Sequence, residues 1–157
     1  METPLGVAAL SNGGHPARAA GRTMRARDAY RYLCRWQRRL RLEDWALTLH
    51  THEGDHVHPD WRDNGRVVMG GIANTVPETQ SAEVHVGVYG DARVVRNTIR
   101  HEVLHVRLAD AEAVFEQALT AVGPESREML RGLWDIAIER AIEAIAAALE
   151  DDEDAEP

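Results

Sequence analysis

The chain has 157 residues, 44% of them hydrophobic, and a formal net charge of −8, enough for one domain that buries about two-thirds of its unfolded surface. No run approaches the ~20 apolar residues of a membrane span, and the opening METPLGVAALSNGGHPARAAGRT lacks the basic start and continuous apolar stretch of a secretion signal. A single cysteine, Cys34, excludes an internal disulfide, so a reducing, cytoplasmic setting is expected. Six of the acids fall in the closing EDDEDAEP, which leaves 18 basic against 20 acidic groups elsewhere. Bulk charge therefore selects no partner, and the sequence predicts an acidic disordered tail over 150–157.

In chain order, residues 1–27 read as a flexible leader rich in Gly, Ala, Ser and Arg, with Met1 and Met24 both open as the start. The folded domain is expected over 28–149. Asp28 is placed as the N-cap of a helix running to Leu42, with Ala29, Leu33, Trp36 and Leu40 at helical spacing. Its other faces crowd Arg31, Arg35, Arg38, Arg39 and Arg41. A nucleic-acid binder using this helix is one rival function, but a solvated face is the ordinary reading, because aromatic interleaving and domain-wide basicity are missing. Cys34 is expected to pack rather than react.

Alternation from Trp45 to His50 predicts a half-buried strand, followed by the polar loop HEGDHVHPDWRDNG. Arg66 to Asn74 is expected as a second strand with a bulge at Gly70-Gly71, and SAEVHVGV as a third, with Val84, Val86 and Val88 facing one way and Glu83, His85 and Gly87 the other. Asp91 is placed as the N-cap of a helix to Leu108, where Val95, Ile99, Val103 and Val106 form one apolar stripe and Leu104 and Leu108 another. A separate amphipathic helix is expected from Ala111 to Val122, ended by Gly123-Pro124. The last helix, Glu125 to Leu149, is expected to bury Leu130, Trp134, Ala137, Ile138, Ala141 and Ile145. Fold class is thus α+β: an N-terminal helix, a short three-stranded sheet, then helices.

The chemistry concentrates in RHEVLHVRL, residues 100–108. His101, Glu102 and His105 match H-E-x-x-H. Four residues of helix advance ~6 Å and ~400°, so both imidazoles leave one face about a turn apart. Each can approach a zinc ion at ~2.0–2.1 Å. Glu102, rotated by ~100°, falls beside the ion, where a carboxylate can take a proton from bound water. A buried His-Glu-His without a partner would cost several kcal/mol of desolvation, so a metal explains the apolar setting best.

At these residues the chain resembles small single-domain zincin-type metallopeptidases, gluzincin-like and of the bacterial or phage kind. The resemblance covers roughly Asp28 to Leu149: leading helix, short sheet, TIRHEVLH, and later helices with the third ligand. It implies a zincin-like fold, Zn2+ as cofactor, hydrolysis of a peptide or protein substrate, and Glu102 as general base. It also implies that Ala82–Val88, before the active-site helix, pairs with extended substrate. A non-catalytic zincin-fold binding or regulatory module, as in phage–host control, is the other rival.

No histidine follows His105, which excludes third-histidine arrangements and leaves carboxylates. The segment IERAIEAIA resembles the late-helix stretch where small zincins place that ligand, and its closest match is Glu139. Glu112, Glu116 and Glu143 remain candidates. Glu128, Asp135, Glu139 and Glu143 also form an acidic stripe, whose ordinary reading is a solvated face opposite the apolar one. His50, His52, His56 and His58 are spaced so that they could bind a second metal, although loop histidines are mostly solvated. His85 and Tyr89 are candidates to line the cleft and steady an oxyanion.

Overall fold

The computed structural model describes residues 24–52, 62–63, 66–67, 70–88 and 91–154. Within them the class is α+β, with three helices and a three-stranded mixed sheet. Helix α1 spans Ala26–Arg39 and carries Ala29, Tyr32, Leu33 and Trp36 into the core. It begins before the expected Asp28. Arg25 occupies the cap position without a side-chain cap, and Asp28, in the first turn, instead accepts a bond from Arg25 Nε at 3.0 Å. On the other flank, the Arg39 guanidinium lies over the Trp36 ring, 4.9 Å from its centroid.

Strand β1 (Ala46–His52) is followed by a small ladder of β2 (Arg62–Asp63) and β3 (Arg66–Val67), then by β4 (Gly71–Val76) and β5 (Ser81–Gly87). The expected second strand is therefore two strands in two sheets: β3 pairs with β2, while β4 joins the main sheet. Gly70 and Gly71 are not a bulge inside one strand, because the sheet edge begins there. The main sheet has the order β1-β5-β4, with β1 parallel and β4 antiparallel to β5. Between β4 and β5 the chain turns through Pro77–Thr79, with Gln80 in the left-handed region at φ 48°.

Alternation along β5 sends Val84 and Val86 into the core, where they meet Val95, Ile99 and Val103 and the α1 residues Leu33 and Trp36. Those three valine and isoleucine positions lie on helix α2, Ala92–Leu119. Asp91 caps it as expected, its side chain accepting from Arg93 N at 2.9 Å. The two helices expected here are one: nothing from Ala109 to Asp110 breaks hydrogen bonding, and a single aspartate is too weak a helix breaker to stop a propagating helix.

Helix α3 spans Pro124–Asp154 and so runs beyond Leu149 into the expected disordered tail. It crosses α2 through a second apolar cluster of Leu104, Ile142 and Ala146, flanked by Leu108 and Ile138. Its buried face differs from the expected one. Ile142 is fully buried, whereas Ala137 and Ala141 are exposed and Ile145 is 41% exposed. The core row is Leu130, Trp134, Ile138, Ile142 and Ala146, spaced by four. Farther along the hairpin Phe115 stacks on Trp134, ring centroids 4.3 Å apart. No helix among the described residues is long and apolar enough to cross a membrane.

Candidate metal centre

His101 and His105 leave α2 one turn apart, with ring centroids separated by 5.0 Å. The rest of the site depends on α3. With Ile142 and Ala146 packed on Leu104, Glu139 lies at the border of the buried row and meets both histidines. His101 Nε2 is 3.3 Å from Glu139 Oε2, His105 Nε2 is 3.1 Å from Glu139 Oε1, and the two imidazole nitrogens are 3.2 Å apart. Two imidazole nitrogens and the two oxygens of one carboxylate thus face one another at nearly equal spacing.

That spacing is a test of fit. Ligands at ~2.0–2.1 Å from a tetrahedral zinc ion stand ~3.3–3.4 Å apart, within a few tenths of an ångström of what His101, His105 and Glu139 present. Two nitrogens and one carboxylate also form the donor set expected of such a site. One hydrogen bond can satisfy any pair of these atoms, but hydrogen bonds do not require three of them to converge. The residues fit zinc.

Glu102 lies beneath β4. It is 6% exposed, and a Cβ on Gly71 would stand 2.7 Å from its Oε1. Burial first, and then the nearby Glu139 charge, push its carboxyl up to about 8, while a backbone hydrogen bond from Ala73 works in the opposite direction. Burial chiefly lowers His105 and His101 adds to that, against the attraction of Glu139. A lowered imidazole remains a neutral ligand at neutral pH.

These groups border a cleft of about 720 Å³, walled by Gly70 to Ala73 on one side and by Glu139, Glu143 and Ala146 on the other. Its upper wall is the outer edge of β4, unpaired among the described residues. Gly70 O accepts from Gly87 N at 2.9 Å, so antiparallel alternation turns the backbone groups of Gly71, Ala73 and Thr75 away from β5. The expected substrate strand is corrected here. All of Ala82–Val88 but its last residue belongs to the central strand β5, both of whose edges are already paired, so it has no free ladder to offer.

The other candidates separate. Glu143 lines the cleft without joining the ligand cluster. Glu116 is held by Arg131, whose Nε donates to it at 3.0 Å, and Glu112 is likewise outside the cluster. The acidic stripe is not opposite the apolar face: Glu139 and Glu143 flank Ile142 at the cleft. Ala146, packed with Leu104 and Ile142, permits a close approach of α3 to α2, whereas Gly132 faces open space. His85 does not line the cleft; it stacks on His50 across the β1–β5 pair. His56, His58 and Tyr89 lie outside the described residues.

Three contributors escaped the sequence reading. Ile142 positions Glu139, and the i+4 row from Leu130 to Ala146 was the available signal. Gly71, read as a bulge, is where α2 and β4 approach too closely for a side chain. Arg100, 1% exposed beside His101, donates to Asn97 Oδ1 at 2.9 Å and lies 5.7 Å from the Trp36 ring centre; no periodicity marks a buried arginine. No protein-family profile, characterised protein or solved structure matches the chain.

Proposed function

We propose that this chain is a zinc-dependent peptidase with a zincin-like, gluzincin-type site. The observation that carries the proposal is the convergence of His101, His105 and Glu139 on one point, with the buried carboxyl of Glu102 beside it and an open strand edge above. His101, His105 and Glu139 would hold the ion. When bound, zinc acidifies water to a pKa of ~7 and polarises a carbonyl.

The protein's own groups then have defined work. An extended peptide adds to the outward edge of β4, where the backbone groups of Gly71 and Thr75 and the carbonyl of Ala73 offer hydrogen bonds, the Ala73 N–H being held by Glu102. Glu102 takes the proton as water oxygen bonds to the scissile carbonyl carbon. It returns that proton to the leaving nitrogen as the C–N bond breaks, so one carboxyl serves as base and then as acid. A carboxyl raised to about 8 in the metal-free protein binds a proton firmly, and a cation alongside would draw it back into the working range.

The decisive test is Glu102→Gln. The amide keeps the shape but cannot accept a proton, so zinc content should be unchanged while hydrolysis of a peptide library falls ~10²-fold or more. Cleavage at the wild-type rate by the variant would remove Glu102 from the mechanism. Zinc-loaded wild-type protein that cleaves nothing would favour a non-catalytic binding module.

A further inference from the structure

The second concentration of histidines lies on the sheet face away from α2. Because Val84 and Val86 point toward α2, alternation sends Glu83 and His85 of β5 the other way, and the parallel register sets His50 of β1 directly beside His85. The His50 and His85 rings stack at 4.5 Å with only 15° between planes. Donor atoms of His50, Glu83 and His85 all lie within 4.8 Å of one another. Glu83 Oε2 is 3.6 Å from His85 Nε2, on a carboxylate 61% exposed and so able to swing inward.

Two details point to a ligand. His50 Nε2 is buried and has no hydrogen-bond partner among the described residues, and a buried polar nitrogen in that state costs free energy. On the other side of His85, Nδ1 is 3.1 Å from His52 Nε2. A proton on that Nδ1, donated to His52, leaves His85 Nε2 with its lone pair directed at Glu83. Metal-binding imidazoles are oriented by such a second hydrogen bond.

We propose that His50, Glu83 and His85 form a second metal site, for a divalent transition ion of the zinc type, with His52 as a positioning residue behind His85. Two imidazoles and a carboxylate are ligands for such ions rather than for calcium or magnesium. The site is separate from the His101–His105–Glu139 centre and is a structural clip. It ties β1 to β5 across a connection in which His52 and His85 are 33 residues apart, and a cross-link that closes a long loop stabilises by restricting the unfolded chain.

The test uses the full chain with His101→Ala and His105→Ala, which removes the first centre. Native mass spectrometry with added zinc should still find one ion per chain, and zinc should still raise the melting temperature. Adding His50→Ala and His85→Ala should abolish both effects, whereas His56→Ala with His58→Ala should not. His52→Ala should weaken binding by about tenfold or more. For variants that fold poorly, side-chain 15N NMR of the His101→Ala/His105→Ala protein is sufficient: the His50 and His85 nitrogens should shift first on titration. The proposal is overturned if that protein holds no ion. It is also overturned if the retained ion depends on His56 and His58, or if the NMR shifts appear elsewhere.

Discussion

Gly71→Ala is the smallest change that probes how the candidate centre is assembled. An added Cβ would stand 2.6 Å from Thr98 Cγ2, 2.7 Å from Glu102 Oε1 and 2.9 Å from Glu102 Cγ. Thr98 cannot readily rotate away, because its hydroxyl donates to Val94 O at 3.0 Å and so fixes χ1. Glu102 cannot retreat without leaving the backbone bond from Ala73. Either β4 lifts from α2 or the carboxylate is displaced, and overpacking of this kind costs about 1–3 kcal/mol. At about 2–4 °C per kcal/mol for a domain of this size, the melting temperature should drop by roughly 2–12 °C in thermal unfolding followed by circular dichroism. Thr98→Ser removes the nearest carbon, so the double variant should recover part of the loss, which makes the pair a thermodynamic cycle. Zinc content should persist, since no ligand is touched, while peptide cleavage falls because Glu102 is displaced. A Gly71→Ala protein as stable and as active as wild type would refute the packing of β4 on Glu102.

Glu139→Ala should lower zinc affinity by at least tenfold, about 1.4 kcal/mol, in competition titrations with a chelating dye; Glu143→Ala and Glu112→Ala should do much less, and equal losses in all three would remove Glu139 as ligand. Ile142→Ala leaves a cavity between α3 and α2, so it should cost about 2–5 kcal/mol in denaturant unfolding and weaken zinc binding although the residue is no ligand. Chelated protein should become less stable as pH rises from 6.5 to 8. Glu102 has a folded pKa of about 8 above its ordinary 4.5, so the native state binds the extra proton and loses that advantage on ionising. His105, lowered from 6.5, contributes the opposite slope only below that value. A flat or rising stability curve from pH 6.5 to 8 in the chelated protein would contradict the burial of Glu102.

By itself the sequence determined what is local. The 3.6-residue period put His101 and His105 on one face of a helix with Glu102 beside them, the alternation of SAEVHVGV identified the inward valines, and Asp91 declared its cap, because each depends only on backbone geometry and near neighbours. It also narrowed the candidates for a third ligand to carboxylates, since no histidine follows His105. What it could not decide depends on contacts between residues far apart in the chain. Glu139 and Glu143 have similar surroundings in sequence, and their difference comes from Ile142 locking against Leu104, which turns α3 by the fraction of a turn that brings one carboxylate to the histidines. The free strand edge followed from sheet order: β1 takes one side of β5 and β4 the other, which closes the strand expected to hold a peptide and opens its neighbour. The stacking of His50 on His85 arises from the same parallel pairing. Periodicity assigns faces to elements, but only packing determines which faces meet.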